Sequence, residues 1–259
     1  MENLLFATFI TLSVMFLSAL CMLVVRRLFG HTVLALHNDV AGFIFNVIGV
    51  VYAVLLAFVV IVEWELFRDA KVKVHEEVRC MSDVFRDARI FGEPYTSTIR
   101  KDILDYADSV IHEEWRLMGK GEISSTARVR MRKIFSDVTS ITPRNDYEKI
   151  WYQEIISRMN NFSDARNARL FSRNNGIPEM MWNVLIIGGF ITIAFSFLFG
   201  TSNVWAQILM VSSLSGMIVL VMILIKSLDH PFEGLISVGP DDFIEQAKFF
   251  MSYYSSASQ

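Results

Sequence analysis

Residues 40–91 read VAGFIFNVIGVVYAVLLAFVVIVEWELFRDAKVKVHEEVRCMSDVFRDARIF, and this stretch decides the fold. From Val40 to Val62 there are 23 consecutive residues without a charge, enough for a helix to cross a hydrocarbon core of ~30 Å. No Gly or Pro lies between Gly49 and Gly92, so the apolar run passes into EWELFRDAKVKVHEE without a breaker. Residues 50–91 are expected to form one unbroken helix, ~63 Å long at 1.5 Å per residue. Half of it would lie in lipid and half would project into water as the first helix of a soluble domain.

The rest of the chain fits that reading. Apolar residues make up 53% of the 259 and gather in blocks, which separates a membrane protein from a soluble one with a large core. The first block, Leu4 to Val25, follows Glu2 rather than Lys or Arg and is too long for a signal-peptide core, so it reads as a retained membrane helix. It ends at Arg26-Arg27 and Gly30; His31 to Asp39 reads as a short polar turn. Residues 180–225 are uncharged for 46 positions, too long for one crossing and right for two, split at Gly200-Thr201-Ser202-Asn203. Trp182 and Trp205 stand near the ends of these crossings, where amphipathic rings favour the interface.

Between the second and third crossings, residues 63–179 hold 20 Lys/Arg and 20 Asp/Glu, a balanced, water-facing composition. Punctuation divides this middle into four helices. The long helix stops at Gly92-Glu93-Pro94. A second runs from about Thr96 to Met118, with Ile103, Tyr106, Val110, Ile111, Leu117 and Met118 on an apolar stripe and Asp102, Asp105, Asp108 and Glu113 mostly outside it. A third begins at Ser124-Ser125-Thr126 and ends before Pro143. The fourth spans about Asp146 to Ser172 and ends at Asn174-Asn175-Gly176. The tail passes Gly239-Pro240 into a short helix carrying Phe243, Ala247 and Phe250 on one side.

The fold class is therefore an all-α membrane protein: crossings in 1–62 and 180–226, a helical soluble domain at 63–179 inserted between the second and third, and a tail at 227–259. Four crossings put the termini and the middle on one side. Arg26 and Arg27 flank the first loop, whereas Arg68, Lys71, Lys73, Arg79, Arg166, Arg169, Arg173 and Lys226 flank the other side. The positive-inside rule then places the soluble domain and both termini in the cytoplasm, the chain being multi-pass in the inner (plasma) membrane.

Little in the chain points to catalysis. There is no nucleotide loop, no HExxH and no nucleophile context, and a net charge of −3 argues against a nucleic-acid partner. Cys21 and Cys80 make neither a disulfide framework nor a zinc pattern. His75-Glu76-Glu77 lacks a second His at ligand spacing and reads as a solvated helix face. The second crossing instead carries a stripe of small residues, Gly42, Asn46, Gly49, Ala53 and Ala57, at spacings of three or four. Small residues let helices approach closely, so the stripe serves helix packing or, functionally, surrounds a conduit in an oligomer. Asn46 is the strongly polar side chain in that crossing and needs a partner or water. Arg166, Arg169 and Arg173 share a helix face; they either bind anions or acidic lipid heads or pair with acids such as Glu76, Glu77, Asp83 and Asp87. Glu114-Trp115 reads as an anchor with a satisfied carboxylate. Asp229, Glu233, Asp241 and Asp242 are either solvated tail acids or donors to a hard cation, though their spacing matches no EF-hand.

Taken in order, these features resemble the bestrophin-like domain family of bacterial and plant membrane proteins, and more distantly the bestrophins. The marks are Gly49 with Tyr52-Ala53-Val54-Leu55-Leu56, Glu77, Glu114-Trp115, Arg166 and Arg169, and Asp229 with Pro231-Phe232-Glu233-Gly234, followed by Asp241-Asp242-Phe243. Bestrophins are pentameric anion channels whose second membrane helix lines a hydrophobic neck and whose acidic cluster forms a Ca²⁺ clasp. The resemblance implies a homo-oligomer, a pentamer, in which Gly42, Asn46, Gly49, Ala53 and Ala57 face the pore, inorganic ions, chloride among them, pass through it, and Ca²⁺ meets the four tail acids. This chain departs from the pattern in two places: residues 40–62 contain no Ile-Pro-Phe-like neck, and Leu235 to Pro240 interrupt the acidic run. The leading expectation is an oligomeric ion channel, not an enzyme; the rival is a non-conducting membrane scaffold or sensor acting through its helical domain.

Overall fold

The computed structural model describes residues 2–173, 176–234 and 236–257, and among them every regular element is helical. The helices are α1 (Glu2–Phe29), α2 (His31–Ala35), α3 (Asn38–Asp87), α4 (Tyr95–Ser109), α5 (Trp115–Met118), α6 (Ser125–Thr139), α7 (Asp146–Ser172), α8 (Glu179–Ser196), α9 (Val204–Leu228) and α10 (Asp241–Ala257). Four of them, α1, α3, α8 and α9, are long and apolar enough to cross a membrane. The chain divides into two compact units, one of residues 1–65 with 176–229 and the other of 66–175 with 230–259.

In the first unit α1 lies along α9, where Gly216 makes room for Met15: a Cβ there would stand 2.8 Å from the sulfur. Tyr52, Leu56 and Val59 of α3 pack with Leu185 of α8 and Ile218 and Ile225 of α9. The approach of α3 to α8 depends on two adjacent glycines. The Tyr52 ring occupies the space that a Cβ on Gly188 or Gly189 would fill, and its hydroxyl donates to the Leu185 carbonyl at 3.0 Å.

Gly30, at φ +74°, ends α1. The segment after it is not the plain polar turn expected from composition, because residues 31–35 form the short helix α2. With no Gly or Pro from 31 to 41, the chain re-enters a helix as soon as the glycine is passed. Two side chains fasten this end of the unit. Asn38 exchanges hydrogen bonds with the backbone of Gly200, at 2.8 and 3.0 Å. Arg26 donates to the Thr201 carbonyl and to Gln207 Oε1, both at 2.6 Å, and to the Ser202 carbonyl.

The second unit has its own core, drawn from α3 after residue 66, α4, α6, α7 and α10. It includes Val84, Ile103, Tyr106, Ile134, Ile155, Phe162 and Phe243, each buried side chain contributing about 1.5–3 kcal/mol relative to exposure. A 3₁₀ turn at Ala88–Phe91 and Gly92 at φ +68° close the long helix. Ser124 caps α6 by accepting from the Ala127 N–H, and Asn145 caps α7 by accepting from the Glu148 N–H. The tail helix seats Phe243, Ala247 and Phe250 in this core, with Phe250 stacked on Phe85 at 3.8 Å. Asn174 and Asn175, expected to end the fourth soluble helix, lie outside the described residues.

The helix expected over 96–118 is interrupted. Between α4 and α5, Val110–Glu114 form a π turn. The wider turn holds Glu114, Trp115 and Met118 on the buried face already used by Tyr106 and Val110. Asp102 also departs from its expected place outside the apolar stripe. It is buried, and Lys133 of α6 reaches it at 2.5 Å.

Candidate functional site

The exposed face of α3 adjoins the small-residue stripe. At 3.6 residues per turn, Tyr52, Leu56, Val59 and Glu63 fall on one side of this helix, all buried in the first unit. The opposite side presents Val47, Val50, Val54, Phe58 and Ile61, all exposed. Within the stripe, Asn46, Ala53 and Ala57 are exposed, whereas Gly42 and Gly49 are half-buried. The stripe runs along the border between the packed and open sides. Gly49, Ala53 and Ala57 line an open apolar hollow of about 630 Å³ together with Tyr52, Ile218 and Val221, while Gly42 and Asn46 lie beyond it.

Two observations on this border concern what the protomer leaves unexplained. A Cβ added at Gly49 would meet nothing within 4 Å, so packing inside the protomer does not call for glycine there. Asn46 makes no side-chain hydrogen bond to a described residue, in a segment where an amide facing hydrocarbon is costly. Glu63, the first acid after the apolar run, is 2% exposed, and its Oε2 has no partner among the described residues.

The three arginines of the ridge, Arg166 and Arg169 in α7 and Arg173 just past its end, have separate fates. Arg169 is 0% exposed; its Nε donates to Glu77 Oε2 at 2.5 Å and its Nη2 to Glu114 Oε1 at 2.6 Å. Its guanidinium also lies over the rings of Trp115 and Phe243, at 5.2 and 5.7 Å. Arg166 donates to the other Glu114 oxygen, and Tyr106 donates its hydroxyl to Glu77. Two guanidiniums thus meet two carboxylates, and the buried set is neutral as a whole. Burial pushes the Tyr106 phenol up, and the Glu77 carboxylate beside it pushes the same way. Burial alone would lower Arg169, but Glu77, Tyr106 and Glu114 together outweigh it and hold the guanidinium charged. Arg173, half-buried, donates to the Glu122 carbonyl at 3.4 Å.

Glu77 corrects the reading of residues 75–77 as a solvated face. His75 and Glu76 are exposed, but Glu77 is wholly buried because each residue steps about 100° around the helix axis and this step reaches the packed side. Glu76, Asp83 and Asp87 are not the partners of the α7 ridge. Arg79 meets Glu76, Arg158 meets Asp83 and Asp87 at 2.9 and 2.8 Å, and Arg86 flanks the same pair of aspartates.

The four tail acids are dispersed in their bonding. Asp229, in the first unit, is buried and accepts from the Ile177 N–H at 2.6 Å and from Lys226 at 3.3 Å. In the second unit Glu233 and Asp241 are exposed, and Asp242 faces His75 Nδ1 at 3.3 Å. Asp241 and Asp242 also border a hollow shared with Lys71. Among the described residues no three His, Cys, Asp or Glu side chains are grouped as metal ligands.

Some of the side chains that organise the units carry no local signature. Arg26 reads as a topology signal, yet it ties the end of α1 to the 201–207 segment. An Arg-Arg pair just before a glycine break, with a Gly-Thr-Ser-Asn loop later in the chain, is the available hint.

Comparison with known proteins adds three findings. The family model described as the bestrophin-like domain matches residues 12–243. A crystal structure of a bacterial bestrophin homologue from Klebsiella pneumoniae, carrying a leucine-to-threonine mutation, superposes with TM-score 0.73 at 10% identity, covering 93% of this chain and 98% of that one. A second structure of a bestrophin homologue from the same organism, with an isoleucine-to-threonine mutation, gives TM-score 0.71 at 10% identity, covering 93% and 99%. At that identity the likeness concerns the fold. No functionally curated protein matches the chain.

Proposed function

The chain belongs to the bestrophin-like domain family, and from this premise we propose that it is a homo-oligomeric ion channel, pentameric and anion-conducting by the family resemblance, with α3 around the central conduit. In this reading it crosses the plasma (inner) membrane four times. Residues 63–179 form an inserted cytoplasmic domain, residues 227–259 a cytoplasmic tail, and both termini face the cytoplasm.

The observation that carries the proposal is the open side of α3. It combines a polar amide at Asn46, a glycine at 49 that the protomer does not require, and a run of exposed valines ending at Phe58. Repeated around an axis, the valines and Phe58 make an apolar constriction that can gate by dewetting, and Asn46 adds the polar ring where an ion exchanges part of its hydration. The evenly mixed charges of the soluble domain suit a vestibule that repels neither sign.

The test is ion flux in proteoliposomes under separate anion and cation gradients, comparing wild type with Asn46→Leu. Flux that changes severalfold in the variant, with the oligomer intact by size exclusion, is the expected result. Absence of flux under every gradient would leave the non-conducting scaffold.

A further inference from the structure

Helix α6 separates its cations by side. Arg130 pairs with Asp105 at 3.1 Å, and Lys133 pairs with Asp102 and Asp137. Arg128 and Arg132, one turn apart on the other side, make no ion pair or side-chain hydrogen bond with a described residue. Both line an open hollow of about 500 Å³ between α6 and α7, and Arg166 of α7 and Arg173 just past its end line it with them. No Asp or Glu is among its lining residues. Arg166 is 5% exposed and satisfied at Nη2 by Glu114, but its buried Nε has no partner among the described residues. The floor is apolar, with Met131 and Leu170 buried, and Phe171 stands on the rim 69% exposed.

We propose that this hollow binds a phosphate-bearing anion with an apolar portion. Arg128 and Arg132 would grip the phosphate, and Met131, Leu170 and Phe171 would take the apolar part. Guanidiniums form forked hydrogen bonds with phosphate oxygens, and uncompensated arginines one helical turn apart are spaced to share a single phosphoryl group. The volume is that of a small-molecule site rather than a macromolecular interface. The same head group occurs on acidic phospholipids and on soluble phosphate esters. The site lies wholly within the second unit and stands whether or not the protein conducts ions.

The experiment titrates full-length protein in neutral detergent with inorganic pyrophosphate and, separately, with dioctanoyl phosphatidic acid, by calorimetry. Arg128→Ala/Arg132→Ala is the test variant and Arg130→Ala the control. Saturable binding of at least one probe is expected, weakened tenfold or more in the double variant and unchanged in the control. Tighter binding of the lipid assigns a lipid source, and comparable or tighter binding of pyrophosphate assigns a soluble phosphate and overturns the apolar part of the proposal. If the double alanine variant fails to fold, Arg128→Lys/Arg132→Lys keeps the charge and removes the fork; weaker binding then supports the site and unchanged binding refutes it. No saturable binding of either probe to wild type, or equal binding by wild type and double variant, overturns the proposal.

Discussion

Arg169 and Glu77, 92 positions apart in the chain, face each other at 2.5 Å with neither side chain exposed. Glu114 completes the set through both Arg169 and Arg166. A buried pair of this kind is weak evidence for net stabilisation, because removing both ions from water offsets much of their attraction. Breaking it from one side is a different matter.

Arg169→Met leaves Glu77 and Glu114 buried with Arg166 as the remaining guanidinium of the set. The expected destabilisation is about 3–5 kcal/mol, read by denaturant or thermal unfolding in detergent. Arg169→Met/Glu77→Leu removes charge and countercharge together and should recover a large part of that loss. Equal instability of the single and double variants would show that packing, not charge, holds this region.

Alkaline pH probes the same set through Tyr106. Burial and Glu77 both raise its folded pKa above the ordinary phenol value. On raising the pH, the unfolded chain ionises first, at about 10, while the folded phenol keeps its proton. Its contribution is therefore fully present below that pH and lost as pH climbs toward the folded pKa. Thermal unfolding from pH 8 to 11 should fall more steeply for wild type than for Tyr106→Phe. Parallel profiles would place the phenol in water.

The four long apolar helices were legible in the sequence because lipid imposes a blunt rule of about 20 uncharged residues per helix. Helix α7 was legible for a local reason, since Asn145 caps its start one residue before Asp146. Register inside the soluble unit was not. The π turn at Val110–Glu114 ends on Glu114, which meets Arg166 and Arg169 from another helix, and no spacing within 96–118 records those partners. Asp102 misled for the same reason, its countercharge lying 31 positions away on Lys133. The helical ridge of three arginines was visible as a pattern, but periodicity cannot say which member is buried. The uncompensated side of α6 emerges only once Arg130 and Lys133 are seen to be taken.

Arg26 offers a test at the other end of the molecule. Its guanidinium binds two carbonyls and the Gln207 amide rather than a carboxylate. Arg26→Ala should unfasten the 201–207 segment and cost about 1.5–3 kcal/mol, the range for hydrogen bonds to a charged group. Arg26→Lys keeps the charge but lacks the fork that spans three acceptors, so it should rescue only part. Faster proteolysis near Thr201 in both variants, greater for alanine, is the measurement.

Two glycines in the membrane-spanning helices should respond in opposite ways. A Cβ on Gly189 would stand 2.8 Å from the Tyr52 hydroxyl and 3.3 Å from Ile218, while one on Gly49 would meet nothing within 4 Å. Gly189→Ala therefore overpacks the protomer, and its unfolding should show a loss of about 1–3 kcal/mol. Gly49→Leu adds bulk where the protomer has space, so the protomer should unfold as wild type does. What Gly49→Leu changes is whatever meets that face from outside. If α3 surrounds an axis, the variant shifts the oligomer on size exclusion or alters flux. If both stay unchanged, Gly49 faces lipid, and the conduit has to be sought on another surface.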